Sequence, residues 1–272
     1  MTERPFPQHG HAPFPRLPLP PDEIHVWTIC LDIAGWRDRL APGWLSDDEL
    51  LRAERSPFEQ ERRRFAVCRA TLRAILGRYL ERPPCELSFG KGPYGKPCLD
   101  PERHREPIRF NVSHSDELAL VAVSRERELG VDLERVRPLD GIDDIVAQHF
   151  APAERLALSR VPPTTRLATF YGYWTLKEAC LKACGVGLSR ALADFDVTRA
   201  GNHPIYLPDI FGAGTERYWT GRRLDPAPGY VAALVGEGRA GASVTKVIGW
   251  PLTPLTLPDA PHTVGVTTPA HG

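Results

Sequence analysis

The chain has 272 residues, enough for one domain of ordinary size or two small ones with a substantial core. Lys and Arg together number 34, as do Asp and Glu, so the formal net charge is zero, which argues against a nucleic-acid partner or a polybasic membrane anchor. Because no membrane-length apolar run, secretory signal, or disulfide or zinc spacing among the cysteines is visible, we expect a reduced, cytoplasmic protein.

The predicted elements follow a Pro-rich lead, residues 1–21, which we expect to be disordered. Apolar patterning predicts strands at Ile24–Leu31, Glu86–Phe89, Ile108–Val112, Leu118–Ser124 and Leu129–Leu133. Further strands are predicted at Phe195–Thr198, Arg217–Leu224 and Tyr230–Val235. A tail over residues 237–272 is again expected to be disordered.

Capping boxes at Ser46 and Ser56 predict two early helices, of which the second is long. One face of this long helix is apolar and carries Phe65, Cys68, Leu72, Ile75, Leu76 and Tyr79. Its other faces carry charge that is typical of a solvated surface, namely Arg62, Arg63, Arg64, Arg69, Arg73 and Arg78. Short helices are predicted near Asp143–Gln148 and Ala153–Leu158, and a last long helix from about Thr165 to Gly185.

The last long helix carries one carboxylate on its apolar stripe. At helical spacing, Glu178 falls on the side that bears Leu167, Phe170, Tyr171, Trp174 and Leu181. Burying a carboxylate costs several kcal/mol unless a cation, a metal or hydrogen bonds receive it. Two interpretations stay open at this point: a metal ligand, or a Glu178–Lys182 helix pair contributing only a few tenths of a kcal/mol.

Two more carboxylates follow one another on a predicted strand. Asp132 and Glu134 are two residues apart, which places both on one face at about 7 Å if the strand continues, and in solvent if it ends first. Carboxylates held that close are stabilised by a divalent cation between them. Together with Glu178, and with Lys182 and His114 as cations, the set suits one Mg²⁺ that also binds phosphate oxygens, so we predict chemistry on a phosphate ester or anhydride.

Three segments in this order resemble the 4′-phosphopantetheinyl transferases of the two-half, surfactin-synthetase-activating (Sfp-like) type. They are Phe110–Ser115 (FNVSHS), Gly130–Glu134 (GVDLE) and Trp174–Leu188 (WTLKEACLKACGVGL). The turn Tyr94–Pro97 (YGKP) also resembles that family's adenine-side loop. The resemblance covers residues from about 22 to 236, and the joint occurrence of the three segments makes it specific.

The resemblance implies transfer of the 4′-phosphopantetheine arm of coenzyme A to a serine of an acyl or peptidyl carrier protein, with release of adenosine 3′,5′-bisphosphate. It implies an α+β fold of two similar α/β halves, residues 22–128 and 129–236, related by a pseudo-twofold with the active site between them. A faint repeat of Glu117–Val123 in Gly229–Val235 agrees with such a duplication. We expect a monomer with no nucleic-acid or membrane partner.

The resemblance also implies residue roles. Mg²⁺ is held by Asp132, Glu134 and Glu178, and either Glu178 or Glu134 through a water acts as the general base. The catalytic set is Glu178, Glu134 and Lys182. The residues that bind coenzyme A are implied to be Arg69, Lys96, Ser113, His114, Asp132 and Lys182.

Some questions stay open on the sequence. The basic residues that would hold the 3′-phosphate of coenzyme A align loosely, with Arg52 and Arg55 as candidates and Glu49 where a lysine is expected. The carrier class and the role of the Pro-rich tails have no signal. Two alternatives to the transferase are a coenzyme A-binding module without turnover and a Mg²⁺-dependent pyrophosphohydrolase, and both fit the resemblance less well because the implied metal ligands and Lys182 are all present.

Overall fold

Two four-stranded sheets, each covered by one helix of 22 residues, form the frame of the protein. The computed structural model describes residues 16–36, 44–185, 191–200, 205–206, 218–238 and 244–249. This repeated pairing of a long helix with a mainly antiparallel sheet confirms the predicted α+β class. Within the described ranges, no helix is long and apolar enough to cross a membrane.

The elements of the described residues are as follows. The strands are β1 (Glu23–Cys30), β2 (Phe89–Lys91), β3 (Pro97–Leu99), β4 (Ile108–Ser115), β5 (Leu118–Arg125), β6 (Leu129–Arg135), β7 (Ile205–Tyr206), β8 (Tyr218–Leu224), β9 (Tyr230–Glu237) and β10 (Val244–Gly249). The helices are α1 (Asp47–Glu54), α2 (Glu59–Leu80), α3 (Ile142–His149), α4 (Pro152–Arg160) and α5 (Pro163–Cys184). Short 3₁₀ turns lie at Pro84–Glu86, Pro93–Gly95 and Leu192–Asp194.

The first sheet has the strand order β10-β1-β5-β4, and the second has the order β6-β9-β8-β7. All neighbouring strands are antiparallel except β10, which pairs parallel to β1. Strands β4 and β6 are therefore edge strands of different sheets. A separate hairpin joins β2 to β3.

Alternation along the central strands gives each sheet two buried faces. On β5, Ala119, Val121 and Val123 pack in the cluster that contains α2, whereas Leu120 and Ala122 pack against the second sheet. The period of two in side-chain direction produces this division, and burial on both faces explains why the strand reads as an almost continuous apolar run. Each fully buried aliphatic side chain contributes about 1.5–3 kcal/mol.

The same alternation decides where the predicted carboxylates point. On β6, Val131 and Leu133 belong to the cluster between the two sheets. Asp132 and Glu134 therefore lie on the opposite face, which α5 covers. The strand continues to Arg135, so the prediction that both carboxylates share one strand face is confirmed.

Both segments expected to be disordered include ordered residues. Strand β10 lies inside the predicted tail of 237–272 and completes the first sheet, so the chain returns from the second half to the first. In the predicted lead of 1–21, Leu17 and Leu19 are buried in the core beside α2. Proline content misled the prediction in the lead, where single apolar residues pack against α2. In the tail, β10 is a short strand without proline, and its place beside β1 is a tertiary contact that local sequence does not show. Residues 1–15, 239–243 and 250–272 lie outside the described residues.

The predicted strand at Phe195–Thr198 and the predicted cap at Ser56 are wrong, and the predicted strand at Glu86–Phe89 overlaps β2 only at Phe89. Residues 195–198 are irregular, and Glu86 belongs to the 3₁₀ turn Pro84–Glu86. Side chains bind the backbone of both segments: Lys177 donates to the carbonyl of Phe195 at 2.6 Å, and Arg73 donates to that of Leu87 at 2.8 Å. Such bonds satisfy groups that a sheet partner would otherwise take. Ser56 accepts from the amide of Phe58, and helix α2 begins only at Glu59.

Candidate active site

A glycine sets the distance between the strand and the helix that carry the predicted site residues. A Cβ on Gly130 would lie 2.1 Å from the carbonyl oxygen of Ala179 and 2.4 Å from the amide nitrogen of Ala183. Strand β6 therefore touches the backbone of α5 directly, which only glycine permits. This contact brings the side chains of Asp132 on β6 and Lys182 on α5 into hydrogen-bonding distance.

Replacing Gly130 by Ala is expected to destabilise the fold by about 2–3 kcal/mol, because the clashing atoms are backbone and cannot rotate away. Urea unfolding followed by circular dichroism measures the change. Gly90→Ala is the matched control, since its Cβ would meet the sulfur of Cys98 at 3.6 Å and the Cα of Asp100 at 3.8 Å, which are ordinary contact distances. Equal stability of the two variants would contradict the close contact.

Asp132, Ser113 and Lys182 form one hydrogen-bonded cluster. The ammonium of Lys182 donates to Oδ1 of Asp132 at 2.6 Å and to Oγ of Ser113 at 3.0 Å. Ser113 donates to the same Oδ1 at 3.0 Å and also accepts from the amide of Leu133 at 3.2 Å. The hydroxyl of Ser113 thus uses its one hydrogen and both lone pairs within the protein. Because its only hydrogen is given to Asp132, this hydroxyl has none left for coenzyme A, which the resemblance implies that Ser113 binds.

Lys182 therefore pairs with Asp132 and not with Glu178 as in the helix-pair interpretation. Among the described residues Glu178 accepts no hydrogen bond. Burial raises the pKa of Glu178, the negative charge of Asp132 raises it further, and Lys182 opposes the rise. Burial likewise raises the pKa of Glu134, followed by the charge of Asp132. The structure thus brings the three predicted carboxylates within electrostatic reach of one another.

Asp132, Glu134 and Glu178 are the predicted ligands of Mg²⁺. In the described part of the chain, no three His, Cys, Asp or Glu side chains are grouped closely enough to hold a metal ion. The chemistry of the set nevertheless fits: all three groups offer carboxylate oxygens, the ligands that Mg²⁺ prefers. Oδ2 of Asp132 is buried without a hydrogen-bond partner among these residues. A buried oxygen of this kind is costly unless a cation or a donor receives it.

A cavity of about 610 Å³ lies beside this cluster. Every residue that lines it belongs to the first half, including Arg52, Arg64, Arg69 and His114. His114 keeps solvent access at the cavity, yet surrounding protein atoms lower its pKa by desolvation, and the cations Lys182 and Arg64 lower it further. His114 thus lies on the cavity wall, next in sequence to Ser113, which contacts Lys182 and Asp132.

The arginines of α2 are only partly the solvated charge that was predicted. Arg73 and Arg78 are 3% and 2% exposed. Arg69 and Arg73 both donate to the buried carboxylate of Glu49, Arg73 at 2.7 Å. Burial pushes the pKa of Glu49 upward, but the bonds from Arg73, the amide of Ser46 and Arg69 together hold it below its ordinary value. These bonds connect helix α1 to α2, and the carboxylate of Glu49 neutralises part of the positive charge beside the cavity.

Arg69 lines the cavity, with its guanidinium carbon 4.0 Å from the ring centre of Phe89. The ammonium of Lys96 does not line the cavity. Its ammonium donates to Oε2 of Glu128, the carbonyl of Leu129 and the carbonyl of Ala183 at 2.9, 3.0 and 3.2 Å. All three of its hydrogens are used, and it connects the turn Tyr94–Pro97 to the C-terminal end of α5.

Asp32, which follows β1, binds Arg64 of the cavity wall. Its carboxylate accepts from Arg63 at 2.7 Å and from Arg64 at 2.9 and 3.0 Å. Hydrogen bonds from Arg64, and with them the charges of both arginines, lower the pKa of Asp32 from 3.8 to about 2. A lowered folded-state pKa stabilises the fold above the unfolded pKa, and this stabilisation is lost as the pH falls through the folded pKa.

We therefore expect the Asp32 contacts to contribute about 1 kcal/mol above pH 4, after allowance for solvent screening, and to lose it between about pH 4 and pH 2. Urea unfolding of the protein and of Asp32→Asn, at pH 6 and near pH 2.5, measures the difference. The gap in stability between the two should be present at the higher pH and small at the lower one. A gap that stays constant would show that the carboxylate does not titrate in this range.

The sequence did not predict several contacts that support the strands and helices around the site, namely those of Asn111, Ser115, Glu49, Glu154 and Gly130. The alternation of Asn111, Ser113 and Ser115 along one strand was visible as a polar face. Glu49 and Glu154 each resemble an ordinary capping residue at the third position of a helix, which they also are. Val186–Leu188, the end of the third resembling segment, lie outside the described residues.

Comparison with known proteins yields matches to both halves. Residues 38–126 match a model of the 4′-phosphopantetheinyl transferase N-terminal domain, and residues 128–235 match the model of the 4′-phosphopantetheinyl transferase superfamily. The chain is 37% identical over 232 residues to 4′-phosphopantetheinyl transferase HetI of Nostoc sp., covering 85% of this chain and 95% of that protein. It is 26% identical over 170 residues to 4′-phosphopantetheinyl transferase Sfp of Bacillus subtilis, covering 61% and 72%.

Proposed function

The chain belongs to the 4′-phosphopantetheinyl transferase superfamily, and on this premise we propose that it loads a carrier protein from coenzyme A. The serine oxygen of the carrier attacks the phosphorus that bears pantetheine. The bond from that phosphorus to the bridging pyrophosphate oxygen breaks, and adenosine 3′,5′-bisphosphate leaves with the bridging oxygen. The proton of the serine passes to a carboxylate of the protein.

One observation carries this proposal within the site itself. Lys182 donates to Asp132 of the second half and to Ser113 of the first half, and Ser113 is followed on β4 by His114, which lines the cavity. A phosphate chain that lies across this junction meets cations on the cavity side and carboxylates suited to a divalent cation on the other. A pyrophosphate with a bulky group at each end is a substrate of that shape and charge.

We assign the Mg²⁺ site to Asp132, Glu134 and Glu178, on the strength of their donor chemistry and the unpartnered Oδ2 of Asp132. When bound, Mg²⁺ supplies positive charge that offsets the negative charge growing on the leaving phosphate. Lys182 then has a second function, because its ammonium holds Oδ1 of Asp132 and thereby fixes the orientation of the other oxygen. Coenzyme A is the co-substrate.

The general base is assigned to Glu178, acting directly or with Glu134 through a water. Burial and the neighbouring carboxylates raise the pKa of Glu178, which makes it a better proton acceptor than an exposed glutamate. It also accepts no hydrogen bond among the described residues, so an oxygen is free for the serine hydroxyl. Glu134 is held by Ser115 at 3.2 Å and is less free to move.

Phosphate contacts are assigned to Lys182 and His114, and the nucleotide end of the cavity to Arg69. Arg52 and Arg64 line the same cavity and are candidates for the 3′-phosphate. For Lys96, whose three donors are occupied, we retain a position beside the adenine through its stem and backbone. Ser113 is reassigned from phosphate binding to the support of Asp132 and Lys182.

The test uses purified chain with coenzyme A, Mg²⁺ and a panel of acyl and peptidyl carrier proteins from fatty-acid, polyketide and peptide synthases. Mass spectrometry is expected to detect one added phosphopantetheine on at least one carrier. Release of adenosine 3′,5′-bisphosphate without an acceptor would favour the pyrophosphohydrolase. Binding of coenzyme A by calorimetry with no carrier modified would favour a module without turnover. The same panel identifies the carrier class. We also propose that the protein is a monomer that acts in the cytoplasm, and analytical sedimentation in the same buffer measures its oligomeric state.

A further inference from the structure

Three side chains of β4 bind the free edge of β6 and form what we term the polar seam: Asn111, Ser113 and Ser115. Oδ1 of Asn111 accepts from the amide of Val131 at 2.8 Å. Oγ of Ser113 accepts from the amide of Leu133 at 3.2 Å, and Oγ of Ser115 accepts from the amide of Arg135 at 3.1 Å. Each acceptor precedes its donor by 20 residues.

Strands β4 and β6 are not paired through their backbones, and the side-chain hydrogen bonds of the polar seam join them instead. Strands β4 and β6 are edge strands of different sheets, so the outward amides of β6 have no strand to receive them. Because donors and acceptors advance together by two residues, the strands run in the same direction with one fixed register. A shift by one residue would direct all three polar side chains away from β6.

Two members of the polar seam also bind a carboxylate. Ser113 donates to Oδ1 of Asp132 at 3.0 Å, and Ser115 donates to Oε2 of Glu134 at 3.2 Å. Each hydroxyl therefore accepts a hydrogen bond from a backbone amide of β6 and donates its own hydrogen to the carboxylate of the β6 residue that precedes that amide. Asn111 binds only the amide of Val131 and contacts no carboxylate in the described structure.

We propose that Ser115 is a positioning residue, which holds one oxygen of Glu134 so that the other is presented to the divalent cation. Ser113 does the same for Asp132, where the remaining oxygen is the buried, unpartnered Oδ2. This inference rests on the proposed function, because it assigns Ser115 a part in preparing that site. A hydrogen bond from a neighbouring side chain that orients a metal ligand typically accounts for 10- to 100-fold in metal affinity or activity.

Ser115 is the better residue to test, since Ser113 also binds Lys182. Ser115→Ala removes the hydroxyl, Ser115→Thr keeps it, and Asn111→Ala removes a contact of the seam that serves no carboxylate. Mg²⁺ affinity is measured by calorimetry in the presence of coenzyme A, the melting temperature is recorded for each variant, and carrier loading is followed against Mg²⁺ concentration. These three readouts separate orientation of the ligand from loss of stability.

We expect Ser115→Ala to weaken Mg²⁺ binding about tenfold and to raise the Mg²⁺ concentration needed for half-maximal loading by a similar factor. Ser115→Thr should restore both values. Asn111→Ala should lower the melting temperature without changing Mg²⁺ affinity. The inference is overturned if Ser115→Ala binds Mg²⁺ as the unmodified protein does, or if Asn111→Ala weakens binding equally. Failure of the unmodified protein to load any carrier overturns the proposed function instead, while the calorimetric comparison still decides the inference.

Discussion

Replacing Glu178 by Gln is expected to slow transfer of the phosphopantetheine arm by about a hundredfold or more while leaving the fold intact. Glutamine has nearly the same shape but can neither accept the serine proton nor supply a negative charge to the cation. Loss of a single proton-transfer or charge-stabilising group has effects of this size. Single-turnover loading of a carrier, followed by mass spectrometry, measures the rate of the chemical step.

The fold should tolerate this change because the carboxylate receives no hydrogen bond from the described residues, and burial and its neighbours already disfavour its charge. We therefore expect the melting temperature of Glu178→Gln to equal or exceed that of the unmodified protein. Glu102→Gln is the control, since this glutamate is exposed in the turn before β4. Normal turnover in Glu178→Gln would remove Glu178 from the mechanism.

The carboxylates of the site could be predicted because each breaks a pattern that the fold otherwise follows. Glu178 interrupts an apolar helix stripe, and Asp132 interrupts an apolar strand. Their partners could not be predicted from spacing. Lys182 is one turn from Glu178 in the sequence, yet it pairs with Asp132, 50 residues away. That choice depends on how closely β6 and α5 approach, and this distance is set by the absent side chain of Gly130.

The fold shows the same division. Strands β5 and β9 and helix α5 lie close to their predicted bounds, because long apolar runs and helical periodicity are local properties. The segment after Leu192 reads as a strand because Phe195 and Val197 are buried in alternation. It is irregular because charged side chains of distant helices bind its backbone. The local sequence pattern indicates which residues are buried. Which groups hydrogen-bond to their backbone depends on tertiary contacts, which the local pattern does not contain.

Replacing Lys177 by Met is expected to destabilise the protein by about 3–5 kcal/mol, the usual cost of removing one partner from a buried ion pair. The side chains of Lys177 and Glu154 are both 0% exposed and lie 2.9 Å apart. The ammonium also donates to the carbonyls of Leu192 and Phe195, each at 2.6 Å. Methionine fills the space but leaves the carboxylate without a cation and two carbonyls without a donor.

Chemical denaturation measures this loss, with Lys91→Met as a control at an exposed lysine. A smaller loss than that of an ordinary core substitution would mean that water reaches the carboxylate of Glu154. Lys177 precedes Glu178 on the helix, so the same variant reports whether the orientation of α5 depends on this pair. Carrier loading by the fraction that remains folded should then fall as well, since Glu178 would lose its fixed direction.

The second substitution separates charge from hydrogen bonding. Adding Glu154→Gln to Lys177→Met removes the unpaired buried charge but keeps one amide oxygen for the backbone, where Glu154 now accepts from Ala151 at 2.8 Å and from Val197 at 2.9 Å. If the uncompensated charge causes most of the loss, the double variant should be more stable than Lys177→Met by about 1–2 kcal/mol. If it is less stable instead, the hydrogen bonds to the backbone matter more than the charge. In that case the pair serves chiefly to hold residues 192–197 against α5.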